Sequence, residues 1–329
     1  MSFMEHQVLD EKSPLYGRRT AQYKVKPFSF QECCHYFVNE SPEAKALYYG
    51  ITGGVADYMS FIDPERSVDE NIIRLYFEHR GRLYEEPHNL LNQELRDPRI
   101  YNDILSAIAG GASRNNEIAT KVQLSSANLN AYLKTLAELH IISKSLPVGK
   151  QGSSKPIYTI EDQMYRFWYR FVHPYQRYIE LNRGAEIYQN EVKTHLPAFM
   201  GPVFEKIVRE YMQLPAVCQH LPETFYEEGR WWGTDSGARQ EVEIDYVGLA
   251  KRTTVLGEAE WRNEQMSVSS LQDLIEKGRL LQGDKILYLF SKSGFTKDLQ
   301  DLAAQDAKVN LVSFEQMLEA FLEAKTSCS

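Results

Sequence analysis

The chain has 329 residues, 43% hydrophobic and 25% charged, with a formal net charge of -8. That size and composition support two or three ordinary domains with real cores and exclude a disordered or fibrous chain. No apolar run approaches the roughly 18 to 20 residues of a membrane span, and Met1 to Gln7 lacks the basic and apolar regions of a signal peptide, so a cytoplasmic protein with no membrane partner is expected.

The cysteines, Cys33, Cys34, Cys218 and Cys328, form no CxxC pair and have no histidines at ligand spacing, which argues for reduced thiols rather than structural zinc or a disulfide framework. The acidic total excludes a chain coated in positive charge, although one basic patch can still bind DNA.

In chain order, "SPLYGRRTAQYKVKPFSF" (13–30) reads as a loop, then an alternating strand at Tyr23 and Val25, then a helix start at Ser29. Helices are predicted near 31–37 and 42–49, broken at Gly53 and Gly54, followed by short helices in "VADYMSFID" and "SVDENIIRLYFEHR". Between 98 and 160 the pattern becomes three helices and a hairpin. "PRIYNDILSAIAGG" carries Ile100, Ile104, Leu105 and Ile108; "RNNEIATKVQL" is a second helix; "SSANLNAYLKTLAELHII" is capped by Ser125 or Ser126 and carries Leu129, Leu133 and Leu136. "IISKSLPVGKQGSSKPIYTI" then reads as strand, flexible basic tip, strand, and this order predicts a winged helix-turn-helix.

The aromatic run "DQMYRFWYRFVHPYQRYI" reads as a helix bridging two domains. From about Pro197 the order is helix, hairpin (241–261), helix, strand, helix, strand, helix, which predicts an α/β sheet, with Trp231 and Trp232 packed under the hairpin.

In "EVEIDYVGL" the acids Glu241, Glu243 and Asp245 alternate with Val242 and Ile244 and share a strand face, as do Glu258 and Glu260 in "VLGEAEW". A two-residue or four-residue turn sets Asp245 opposite Glu258 and Glu243 opposite Glu260. Like charges across a ladder are destabilising by about 0.2 to 1 kcal/mol per pair. A divalent cation such as Mg²⁺ would offset them, and so would solvation with Arg239, Lys251, Arg252 and Arg262 nearby.

Taken together, "SPLYGRRTAQYKVKPFSF", "GITGGVADYM", the 98–160 pattern, "IYTIEDQMYRFWYRFVHP", "GPVFEKIVREY" and "EEGRWWG…EVEIDYVGLA…GEAEWRN" resemble the archaeal-type, STAND-related AAA ATPases that end in a DUF234 domain. The resemblance runs over nearly the whole chain. It implies an α/β protein in three parts: residues 1–90 as a remnant of the ATPase core and its helical lid, 91–180 as the winged helix with its bridging helix, and 181–329 as a PD-(D/E)xK, restriction-endonuclease-like domain. It also implies that Asp245 and Glu258 hold Mg²⁺, with Glu205 as an accessory acid.

Two departures from the family matter. No GxxxxGK[ST] loop occurs, "VGKQGSSK" (148–155) being the wing tip, so no ATP site is expected and this chain alone should not hydrolyse ATP. Arg18 and Arg19 resemble the region that could face a neighbouring γ-phosphate. Relatives often read E-x-K-W-R where this chain has "EAEWR", so Glu260 stands at the lysine position and supplies no positive charge, although a general base or second metal ligand remains open to it.

Three readings follow. The first is a DNA-binding or regulatory protein with a degenerate nuclease-like domain, contacting phosphates through Lys134, Lys144, Lys150 and Lys155. The second is a Mg²⁺-dependent endonuclease using Asp245, Glu258 and Glu260. The third is an interaction module for a separate ATPase chain, or one that self-associates.

Overall fold

A computed structural model describes residues 21, 23, 25–95, 97–149, 155–235, 237 and 239–324. It is a mixed α/β structure that divides into two compact units. The first comprises Met1–Phe28, Tyr48–Ser145 and Lys155–Thr194; the second comprises Ser29–Leu47, Leu146–Ser154 and His195–Ser329.

The first unit is mainly helical. The alternation at Tyr23 and Val25 yields no strand among the described residues there, because both side chains are exposed and no neighbouring strand pairs with them. Ser67 opens the Val68–Ile72 helix with a reciprocal cap, its Oγ accepting from the Glu70 N–H while the Glu70 carboxylate accepts from the Ser67 N–H. The aromatic run expected to bridge domains is instead the core of this unit. Phe167, Trp168, Phe171 and Val172 are buried, Phe167 meets Tyr76 edge-on, and the Trp168 Nε1–H donates to the Tyr84 carbonyl at 2.6 Å. Aromatic residues on every side of a helix have nowhere to go but an interior.

Three helices follow in the same unit. Arg99–Ala109 stops at Gly110 and Gly111, the latter at a φ of 96° that favours glycine. The Glu117 carboxylate accepts from the Ser113 and Arg114 N–H groups and starts Asn115–Lys121. Ser125 caps Ser126–Glu138, whose Leu129, Leu133 and Leu136 are buried. Strand β1 (Ile142–Ser145) then pairs antiparallel with β2 (Ile157–Ile160), and the Tyr158 N–H donates to the Ser113 carbonyl at 2.7 Å.

The second unit is built on a five-stranded sheet in the order β3 (Glu227–Asp235), β4 (Gln240–Leu249), β5 (Thr253–Glu260), β6 (Asp284–Ser291), β7 (Val309–Ser313). β3, β4 and β5 form an antiparallel meander, whereas β5, β6 and β7 run parallel and are joined by the Val268–Gly278 and Lys297–Gln305 helices. The sequence pattern gave no sign of β3. Gly229 and Gly233 interrupt its alternation, and its pairing comes wholly from β4. Trp231 therefore lies on a strand within the core instead of beneath a hairpin.

One core gathers Ile244, Val247, Leu256, Leu274, Leu287 and Leu289, each worth about 1.5 to 3 kcal/mol when fully buried. A second, aromatic cluster joins Phe204, Trp261, Phe314, Phe30 and Phe321. Val148, expected at a flexible tip, is buried in the first of these cores, and its N–H donates to the Arg230 carbonyl at 3.1 Å. An apolar side chain between proline and glycine has found a cavity and a backbone partner.

Candidate functional site

Glu243, Asp245, Glu258 and Glu260 come together where β4 loses its regularity, whereas Glu241 lies further along β4 opposite Thr234. Ala250 N–H donates to the Thr253 carbonyl, closing a turn of Lys251 and Arg252, and the ladder runs from Leu249↔Thr254 to Tyr246↔Gly257. This is the register that would set Asp245 opposite Glu258. The ladder ends one step short of that pair. Ala259 N–H turns to the Asp245 side chain, donating to Oδ2 at 3.0 Å.

The same point on β4 is irregular toward β3. Gly229 faces Val247 while Trp231 faces Ile244, so Arg230 lies against both Asp245 and Tyr246. Gly229, next to the bulge on β3, takes a φ of 148°, in the region that favours glycine. The bulge turns Arg230 toward the acids, where its guanidinium donates to Glu243 at 2.5 Å. Glu243 pairs in register with Trp232 on β3 and does not meet Glu260 across a ladder.

Glu258 and Glu260 lie at the carboxyl end of β5 and meet the Val268–Gly278 helix. Lys277 Nζ donates to both Glu258 oxygens, at 2.8 and 3.0 Å, and Ser270 Oγ donates to Glu260 Oε1 at 2.9 Å. Arg262 approaches Glu260 at 3.6 Å. Ser270 and Lys277 are seven residues apart, two helical turns, and so sit on one side of the helix, flanking buried Leu274. Glu205, on the Leu196–Met212 helix, is 13% exposed and lies 4.0 Å from Arg209.

Burial governs the electrostatics. It raises the Asp245 carboxyl above its ordinary range, against the Ala259 N–H and the charges of Arg230 and Lys277. It also pushes Glu258 up to about 7, helped by the neighbouring Asp245 charge and opposed by Lys277. Burial works against the Arg230 charge, but Glu205, Glu243 and Asp245 outweigh it and raise its pKa. Four cations thus face five acids: Lys277 at Glu258, Arg230 at Glu243, Arg262 at Glu260 and Arg209 at Glu205, with Asp245 held by a backbone donor.

A Mg²⁺ ion would need open carboxylate oxygens at about 2.0 to 2.1 Å in octahedral geometry. Among the described residues no group of three or more His, Cys, Asp or Glu side chains is placed to hold a metal, and both oxygens of Glu258 are engaged by an ammonium. The side chains as arranged do not fit a divalent ion held by Asp245 and Glu258.

Lys277, Arg230 and Ser270 were not singled out by the sequence. Ser270 and Lys277 carried one signal, polar residues at two-turn spacing beside an apolar stripe; Arg230 carried only its place after a glycine. The lysines expected to contact phosphate lie elsewhere. Lys134 is exposed on the Ser126–Glu138 helix with Glu138 at 3.7 Å, Lys144 is exposed on β1, and Lys155 is exposed just before β2. Lys150 lies outside the described residues, as do Arg18, Arg19 and Cys328. Among the described residues Cys33, Cys34 and Cys218 form no disulfide. Among the described residues no helix is long and apolar enough to cross a membrane.

Residues 168–271 match the family model DUF234, described as archaea bacterial proteins of unknown function. Asp245, Glu258, Glu260 and Ser270 fall inside that segment, and Lys277 falls just beyond it. The chain is also 28% identical over 295 residues to an uncharacterized protein of Methanocaldococcus jannaschii, MJECL04, covering 85% of this chain and 63% of that protein. It thus spans less than two thirds of that relative's length. The crystal structure of protein VC1899 from Vibrio cholerae aligns over 93% of this chain and 63% of its own, at 14% identity and a TM-score of 0.29, a likeness that carries no argument.

Proposed function

We propose that this chain is a DNA-binding regulatory protein in which residues 99–160 act as a winged helix-turn-helix and the five-stranded sheet is a nuclease-like scaffold with a degenerate site. The observation that carries the reading is the outer face of the Ser126–Glu138 helix. Leu129, Leu133 and Leu136 anchor one side, while Ser126, Ala127, Asn130, Ala131 and Lys134 are exposed on the other. Small and polar side chains along a firmly seated helix are what a major groove admits, and in this reading the preceding short helix and following hairpin would carry the phosphate contacts beside it.

Charge supports the same reading. Residues 97–160 contain seven lysines and arginines against four acids, within a chain whose net charge is -8. The Lys134–Glu138 pair is exposed and loose, so exchanging the carboxylate for a phosphate loses little. No phosphate loop occurs in the 329 residues, and no ATP site is proposed for them. In the sheet, Glu260 holds Ser270 and Arg262 in place of a lysine's role, and we assign the acids to structure rather than to phosphodiester cleavage.

The test is fluorescence anisotropy with duplex DNA across a salt series. Lys134→Glu, Lys144→Glu and Lys155→Glu combined should weaken binding at least tenfold, and each phosphate left without its lysine should lower the slope of log K against log salt by about 0.9. Wild-type protein without salt-dependent affinity would overturn the DNA assignment. Supercoiled plasmid with Mg²⁺ or Mn²⁺ tests the scaffold assignment: no nicking is expected, and nicking abolished by Asp245→Ala would overturn it.

A further inference from the structure

We infer that the Lys277 ammonium is the resident cation of the sheet unit, standing where a divalent ion would otherwise join Asp245 to Glu258, so that Glu258 carries its counter-charge from the chain itself and the pair excludes metal. The inference rests on the proposed scaffold reading and deepens it by saying what balances the buried Glu258 beside Asp245.

The geometry gives three reasons. Lys277 takes both oxygens of Glu258 from a position where its own side chain is 26% exposed and its partner's is 22% exposed. A metal ligated by Glu258 must either displace that ammonium or sit beside it against like-charge repulsion, since both oxygens already accept from Lys277. Asp245, the remaining ligand of such a pair, already spends one oxygen on Ala259 N–H, a bond that replaces ladder pairing where β4 leaves β5. Opening the site to a metal therefore asks above all for the loss of the Lys277 ion pair.

The third reason is the position of Lys277 on its helix. With Leu274 buried in the core and Ser270 bonded to Glu260, the helix is registered against β5 at two points seven residues apart. Lys277 is delivered to Glu258 by the same packing that builds the sheet's core. The counter-charge of Glu258 is thus coupled to folding and needs no ion from solution.

The experiment is Mn²⁺ titration of the full chain, read by electron paramagnetic resonance of free Mn²⁺, for wild type, Asp245→Asn, Lys277→Met and the Asp245→Asn/Lys277→Met double variant. Wild type should show no binding that depends on Asp245. Lys277→Met should bind Mn²⁺ at least tenfold more tightly than wild type, and the double variant should lose that gain. Asp245-dependent binding by wild type, or no gain in a folded Lys277→Met, would overturn the inference. Should Lys277→Met fail to fold, Lys277→Gln takes its place, and the wild type and Asp245→Asn comparison decides the matter without either. DNA affinity is read separately: its loss would sink the proposed function and leave the Lys277 result standing, and the reverse holds equally.

Discussion

Replacing Glu258 by glutamine should change how stability depends on pH, and the structure sets both the sign and the size of the change. In the folded protein Glu258 titrates near 7, against an ordinary value of 4.5, because burial and the adjacent Asp245 outweigh the Lys277 ion pair. Between those two pH values the folded state holds a proton that the unfolded chain has released. Stability contributed by this group is therefore fully present below about 4.5 and is lost as pH rises through 7.

One proton corresponds to a slope of about -1.4 kcal/mol per pH unit, and the full interval amounts to roughly 3 kcal/mol. Glutamine cannot titrate, so the difference between wild type and Glu258→Gln should carry that slope and level off outside the interval. Urea unfolding at fixed ionic strength from pH 4 to 8, followed by tryptophan emission, measures it. Trp231, Trp232 and Trp261 all lie in the sheet unit and report its unfolding. Parallel stability curves for the two proteins between pH 5 and 7 would refute the reasoning, since they would mean that Glu258 titrates alike folded and unfolded. Lys277→Met should move the upper limit of the interval to higher pH, because it removes the charge that holds the Glu258 pKa down.

Other consequences are equally direct. Leu274→Ala leaves a void between the Val268–Gly278 helix and the sheet and should destabilise that unit by about 2 to 5 kcal/mol in the same assay. Ser125→Ala removes the acceptor for the Asn128 N–H and should cost about 1 kcal/mol, lowering the thermal midpoint of the helical unit in calorimetry. Gly184→Ala would place a methyl group 1.7 Å from the Phe77 carbonyl oxygen, a backbone atom, and should exceed the roughly 1 to 3 kcal/mol of ordinary overpacking, leaving little folded protein by circular dichroism.

The sequence by itself determined the helices whose apolar residues repeat at helical spacing, such as Ser126–Glu138 with its serine cap, because cap and stripe are local. For β4 on β5 it set the register only on condition of a two-residue or four-residue turn, and the structure supplies the two-residue turn at Lys251 and Arg252. Only tertiary structure decided what the register leads to. The bulge at Asp245 exists because β3 lies beside β4, and β3 has no signature of its own between its glycines. Lys277 comes to Glu258 through the packing of a crossover helix, across a separation of 19 residues that no local pattern records. Val148 shows the same limit: its neighbours in sequence predict a turn, and its burial depends on a cavity made by distant strands. Charges and apolar side chains near in sequence announce themselves; the counter-ion of a buried acid is chosen by the fold that buries it.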